Sequence, residues 1–295
     1  MSISPLNDLE LQNDIETVDG LPVNREVMFT DKKGRHKPGV EKRQRKLIKQ
    51  CHFIKPFLEP GETIQRVTTG CSPMTFGEQF FTGWIIFYIK RAMFIFTDRR
   101  IFHVPSTAGF KYRKSIAQIR FDDCRELSVK RHVMRAHYNN GDKEKFYYIP
   151  GPDRGVLQRF LSQAATGSEK GRRTHLCPTC QAPLSPKVYQ CASCAQEFKT
   201  RKDATLLSWV FPGGGYFYTG HYLLGVSDAI TELLLTFFVV MSLMNVQSEG
   251  GFFPAVMFGF ILVIEKLMTV SHALGWIDEF IPIERPGLAR AVRSE

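Results

Sequence analysis

The sequence lacks a phosphate-cradling Gly-x-x-x-x-Gly-Lys, a Gly-x-Ser-x-Gly elbow and a His-Glu-x-x-His, and with them the usual signatures of nucleotide hydrolysis, serine-hydrolase chemistry and zinc peptidase action. The glycine run Gly213-Gly214-Gly215 has neither the lysine nor the preceding strand of a nucleotide loop. Cys51 beside His52, and Cys71, are the imaginable nucleophiles, but single cysteines in apolar surroundings are ordinarily packing. A non-enzyme is therefore expected. Residues 1–20 contain no Lys or Arg and no apolar stretch, only Asp8, Glu10, Asp14, Glu16 and Asp19 among the charges. That pattern excludes a signal peptide there, and most of the chain is expected to stay cytoplasmic. An even cysteine count is also missing. Four of the seven cysteines fall within eighteen residues, a metal-binding pattern in a reducing compartment rather than a secreted disulfide framework.

The 295 residues have room for several modules, so neither a metal nor a disulfide is needed merely to supply a core. A formal charge of +10 favours an anionic partner, nucleic acid or acidic lipid. The mean hydropathy of −0.16 averages a polar first two-thirds with a strongly apolar stretch from 205 to 281, so a uniform soluble globule is excluded.

Residues 1–45 are acidic and then basic, with few apolar side chains. Such a segment buries too little surface to offset its ordering entropy, and a disordered arm is expected. From Phe57 the texture changes to strand-sized, turn-bounded runs at 62–69, 92–97, 100–104, 116–121, 126–130, 133–138 and 145–149. Asn140-Gly141 predicts a type I′ hairpin between the last two. Residues 153–165 place Val156, Leu157, Phe160 and Leu161 on one helical face, which suits a helix closing one end of a small β-barrel.

Leu58-Glu59-Pro60-Gly61-Glu62, then Phe96-Thr97-Asp98-Arg99-Arg100-Ile101, then Ile116-Ala117-Gln118-Ile119, a basic hairpin and a final helix resemble, in that order, the bacterial pleckstrin-homology and GRAM-like domains over 57–165. The resemblance implies a module for lipid headgroups or a protein partner. Lys90, Arg91, Arg99, Arg100, Lys111, Arg113 and Lys114 are the candidate contacts, chosen by charge and expected loop position. The run 76–90 departs from the family pattern: Phe80, Phe81, Trp84, Ile85, Ile86, Phe87, Tyr88 and Ile89 are nearly continuous. It is too short to cross about 30 Å of hydrocarbon. Two readings stay open, a place in the domain core or a dip into the membrane interface.

Cys177-Pro178-Thr179-Cys180, ten residues, then Cys191-Ala192-Ser193-Cys194 is the strongest motif in the chain. Two such knuckles place four thiolates about 2.3 Å from one zinc ion, leave no open position, and so make a structural site. The segment resembles a short zinc ribbon, with Gln181 and Ala195 where such knuckles often use glycine. A redox dithiol does not explain two pairs at ribbon spacing. His175 reads as a surface residue. Lys170, Arg172, Arg173, Lys187, Lys199, Arg201 and Lys202 surround the motif, either for nucleic acid or as the cytoplasmic cations that precede a membrane segment; the second explanation is favoured.

Residues 226–246 and 252–277 read as two spans; the eighteen residues 229–246 carry one charge, Glu232, and rise about 27 Å as a helix. The cations before the pair, and Arg285, Arg290 and Arg293 after it, send both chain ends to the cytoplasm. Residues 205–224 contain glycines that break a helix, so an interfacial or re-entrant element is expected. Phe217-Tyr218-Thr219-Gly220 resembles the TM-two family of small double-spanning proteins over 206–225, though no Asp-Arg-Phe lies between the spans; that family's layout implies that 205–224 is itself a span. Asp228 and Glu232 share one helical face, and Glu265, Thr269 and His272 another. Intramembrane polar residues of this kind suit an ion path, but local pairing is the plainer reading.

Together these features predict a multi-domain, membrane-anchored binding or adaptor protein. Its parts are an arm (1–45), a β-barrel with capping helix (46–166), a one-zinc ribbon with basic linker (167–202), a membrane domain (203–284) and a basic tail (285–295). The expected partners are the bilayer, anionic headgroups among them, a protein, or another copy through the hairpin. A membrane-tethered nucleic-acid binder is the alternative, and a small channel or transporter component the third reading.

Overall fold

In the computed structural model, residues 15–107, 109–164, 167–245 and 252–283 are described. The tail 285–295 and the first fourteen residues of the expected arm lie outside them. The chain divides into two units, 1–185 and 186–295.

The first unit runs β1 (Ile15–Val18), β2 (Leu21–Asn24), α1 (Arg25–Met28), α2 (Pro38–Ile48), a 3-10 turn (His52–Phe57), β3 (Ile64–Cys71), α3 (Phe76–Thr82), α4 (Ile86–Ile89), β4 (Arg91–Thr97), β5 (Arg100–Pro105), β6 (Ile116–Arg120), β7 (Cys124–Lys130), β8 (Val133–Tyr138), β9 (Lys143–Phe146), α5 (Gly151–Gln163) and β10 (Thr174–Leu176). The strands make two sheets, not one closed barrel: a seven-stranded sheet ordered β1-β2-β3-β4-β5-β6-β10 and a three-stranded sheet β7-β8-β9. An isolated bridge, Cys71 to Tyr147, connects β3 to the segment just after β9.

Alternation along β4 explains why closure is not needed. Ala92, Phe94 and Phe96 point one way, into a core with Leu127, Val129, Met134, Ala136 and Phe146 of the smaller sheet and Leu157 and Leu161 of α5. Met93 and Ile95 point the other way, with Val67, Phe102 and Val104, and form a second core. Its cover is Leu21, Val23, Met28, Phe29, Leu47 and Ile48. The disordered arm is thus corrected from residue 15 onward: the described part of 1–45 is strand, turn and helix. Its few apolar residues are enough because they land on one exposed sheet face.

Two polar devices fix this cover. The outer edge of β3 meets β2 only at Val23–Ile64, and the buried Gln44 amide completes it, accepting from Val67 N (3.2 Å) and donating to Val67 O (2.9 Å). Arg66, fully buried, donates twice to Asp153 Oδ1 (3.1 and 2.8 Å) and also to the carbonyls of Val27, Met28 and Thr30. Asp153, in the first turn of α5, also accepts from Thr68 (2.5 Å) and Arg43.

The Asn140-Gly141 turn differs from expectation. Only Gly141 has positive φ (+93°), and β8 ends at Tyr138 while β9 begins at Lys143, which leaves a four-residue loop. Asn139 draws the loop away, donating to the carbonyls of Asp122, Gly167 and Glu169, while Asn140 Oδ1 accepts from Asp142 N (2.9 Å).

The segments around 58–62 and 96–101 meet. Glu62, 1 % exposed, holds Arg100 through both oxygens (3.0 and 2.6 Å) and accepts from Thr97 Oγ1 (2.7 Å) and Glu59 N (2.8 Å). Burial opposes its ionisation, but Arg100, the Glu59 amide and Thr97 outweigh it and hold the carboxyl below the ordinary 4.5. A depressed folded-state value contributes stability that is present above the unfolded value and lost as pH falls through the folded one. The stability difference between the native chain and Glu62→Gln, measured by urea unfolding, is therefore expected to be largest at neutral pH and to shrink below about 4.5. A difference that does not change with pH would refute the assignment.

The second unit holds α6 (Arg201–Val210), α7 (Gly214–Thr219), α8 (Tyr222–Met244) and α9 (Phe252–Ile277). Thr200 caps α6 by accepting from Asp203 N (3.2 Å). The glycine run ends this helix: Gly213 has φ +68°, and a Cβ there would stand 2.2 Å from Gly225 O. A Cβ on Gly214 would stand 2.1 Å from Leu207 O, so α6 and α7 fold back against each other as only glycine permits. Residues 205–224 are thereby two short helices and the start of α8, not one span-length helix.

Candidate metal centre and membrane-contact residues

The two cysteine knuckles have the same backbone. Cys177 N donates to Ala182 O (2.8 Å) and Gln181 N to Cys177 O (2.9 Å); Cys191 N donates to Gln196 O and Ala195 N to Cys191 O, both 2.9 Å. Bridges Leu176–Pro183 and Gln190–Glu197 close the respective loops. Gln181 and Ala195 have φ of +61° and +58°. These are the positions where a ribbon would favour glycine, and the left-handed conformation is the reason. The ligand atoms of Cys177, Cys180, Cys191 and Cys194 all lie within 4.8 Å of one another. A tetrahedron with metal–sulfur bonds of about 2.3 Å has sulfur–sulfur edges near 3.8 Å, so the four sulfurs are close enough to hold one metal ion. His175 is in β10, paired with Ala117, and is not part of this cluster.

The other three cysteines are buried. Burial pushes the thiols of Cys51 and Cys124 up to about 12 and that of Cys71 to about 11, away from the thiolate that a nucleophile needs.

The basic residues expected to meet phosphate divide sharply. Arg100 is 7 % exposed and committed to Glu62. Lys90 pairs with Glu78 (2.9 Å), whose carboxylate also completes the capping box with Thr75. Arg99 pairs with Glu59 (3.0 Å) at the surface. Arg91 lies over the Phe110 ring, 5.1 Å from its centre. Arg113 is half-buried, and burial lowers its pKa. Lys111 and Lys114 are exposed. Around the cysteines, Arg173 pairs with Glu144 (3.1 Å), Arg201 with Asp278 (2.7 Å), and Lys199 donates to Tyr218 O. Lys170, Arg172, Lys187 and Lys202 are exposed.

The aromatic insertion divides between the domain interior and the surface. Ile86 and Ile89 are buried, whereas Phe80, Trp84 and Tyr88 are 70 %, 78 % and 39 % exposed. Phe80 is in α3, Trp84 in the 3-10 turn 83–85 that follows, where Gly83 breaks the helix with φ +59°, and Tyr88 in α4.

Helices α8 and α9 are each long and apolar enough to cross a membrane. Of the intramembrane candidates, Asp228, Glu232 and Glu265 come together, with ligand oxygens within 4.8 Å of one another. His272 instead meets the Tyr216 hydroxyl through Nδ1 (2.7 Å). Of the two local pairings open to Glu265, with Lys266 or with a neighbouring helix, the structure has the second: Glu265 meets α8, while Lys266 Nζ contacts Glu232 Oε2 (2.5 Å) and donates to Ser208 O (2.9 Å), since adjacent residues on a helix do not face each other.

No family model, curated protein or solved structure gives a significant match to this chain.

Proposed function

We propose that this chain is an integral membrane, non-catalytic binding protein. In this reading the hairpin α8–α9 is its anchor, the four-cysteine segment a structural zinc ribbon, and the two-sheet unit a pleckstrin-homology-like module for anionic headgroups or a protein partner. One observation carries the reading: the surface of α8 and α9. Leu233, Phe237, Val240, Val256, Phe260 and Leu267 are 48–66 % exposed, far more contiguous apolar area than water tolerates on a monomer. The cations at 199–202 and in the tail favour the cytoplasmic side for both ends of the hairpin.

The module's lipid contact is the segment 76–90, through the exposed Phe80, Trp84 and Tyr88, with the exposed Lys111 and Lys114 as cations that reach headgroups. Aromatic rings of this kind favour the interface, where one edge is wet and the other apolar. Full-length protein is expected to resist carbonate extraction. After reconstitution, with Trp209 and Trp276 replaced by Phe, the remaining Trp84 fluorescence is expected to be quenched by brominated acyl chains and shielded from aqueous iodide. Release by carbonate would remove the anchor; a Trp84 fully open to iodide would remove the module's contact with lipid.

A further inference from the structure

Asp228 and Glu232 are one turn apart on α8 and face Glu265 of α9. Among the described residues, the ammonium beside them is that of Lys266, bound to Glu232 Oε2 and shared with a backbone carbonyl. Thr269 Oγ1 lies 3.0 Å from Asp228 Oδ2 and 3.4 Å from Glu265 Oε1, and one hydroxyl has one proton to give. Two further oxygens have no donor in reach. Glu232 is 2 % exposed, and no nitrogen or hydroxyl donates to its Oε1; Glu265 Oε2, also shielded from solvent, has no such donor either, and its neighbours at hydrogen-bond range are the other two carboxylates. Both belong to carboxylates of the same cluster. A buried carboxylate oxygen with no donor is costly, and three ionised carboxylates against one ammonium leave a net charge of −2. One divalent cation would supply both the missing charge and the missing contacts.

We propose that Asp228, Glu232 and Glu265 form an oxygen-ligand site for one divalent cation, joining α8 to α9. Carboxylates are hard ligands, so the class is Mg²⁺, Ca²⁺ or Mn²⁺ rather than the thiolate-seeking metals that suit the cysteines. Lys266 holds Glu232 in place by one oxygen and leaves the other for the metal. Thr269 does the same for Asp228, the nearer of its two carboxylates. The site deepens the anchor reading, because a cation bridging the two helices would fix how they pack.

The test uses the full chain in nanodiscs, stripped of metal and titrated with Mn²⁺ by electron paramagnetic resonance. One Mn²⁺ per chain is expected, displaced by excess Mg²⁺ or Ca²⁺, with at least a tenfold loss of affinity in Glu265→Gln and in Asp228→Asn. Glu126→Gln, at an exposed carboxylate of β7, serves as control and should leave this binding unchanged. Binding of less than one Mn²⁺, or equal affinity in the carboxylate variants, overturns the proposal. So does a protonated-carboxyl C=O stretch in the infrared spectrum that Mn²⁺ does not remove, since the charge would then be cancelled by protons. Intact nanodisc elution of each variant shows that its hairpin has folded. Carbonate extraction decides the anchor and Mn²⁺ binding decides the cluster, so the two readings fail separately.

Discussion

Full-length protein is expected to carry one zinc ion per chain, and Cys177→Ser or Cys191→Ser to lose it. The four sulfurs already lie within 4.8 Å of one another, on two knuckles of identical hydrogen bonding, so binding requires only that the thiols lose their protons. Four thiolate donors favour zinc or iron–sulfur over hard cations, and a closed set of four sulfurs gives zinc no position for substrate. The energy at stake is large: structural zinc contributes on the order of 10 kcal/mol to the folding of small zinc domains near neutral pH. Metal removal is therefore expected to unfold the segment locally. The readout is hydrogen exchange at the amides of Gln181 and Ala195, which bond the carbonyls of Cys177 and Cys191. Both should be protected with zinc and exchange freely after chelation or in either serine variant. A chain that binds no zinc, or that keeps both amides protected without it, would reduce the motif to a thiol pair of another kind.

Much of this was legible in advance, and what was missed has a common physical cause. The cysteine spacing and the two apolar helices are local patterns, read within one turn or one helix. Even the unusual Gln181 and Ala195 marked the left-handed positions. The N-terminal cover was missed because its own composition is poor in apolar residues. The signal for it lay elsewhere: β4 is apolar on both faces, with Met93 and Ile95 opposite Phe94 and Phe96, and a strand buried on both faces needs two covers. With the smaller sheet and α5 on one side, Leu21, Val23, Met28 and Phe29 were uncommitted apolar residues for the other. The misjudged cations have the same origin. Charge placed Arg100 at a surface, but Glu62, thirty-eight residues away, holds it in the interior. Partners at that distance cannot be read from either residue's neighbours.

A pair with longer reach still, Arg66 and Asp153, gives the second large effect. Asp153→Ala is expected to destabilise the first unit by about 3–5 kcal/mol, since a buried charge would lose its partner; for a unit of this size that lowers the melting temperature by about 10 °C. Arg43 and Thr68 would lose their acceptor as well. A simple buried ion pair can often be replaced by apolar residues at little cost, so Arg66→Met combined with Asp153→Leu would restore stability if the pair were all that mattered. Here it should not. Arg66 also donates to the carbonyls of Val27, Met28 and Thr30, and no apolar side chain can replace those bonds. The double variant should remain within about 1 kcal/mol of Asp153→Ala, roughly one net hydrogen bond. Its damage should also be local, with faster exchange in α1 and α2 before the β7–β9 sheet opens. Recovery of native stability in the double variant would mean that the carbonyls find other donors, and that the cover over β3 is held by Leu21, Val23, Met28 and Phe29 alone.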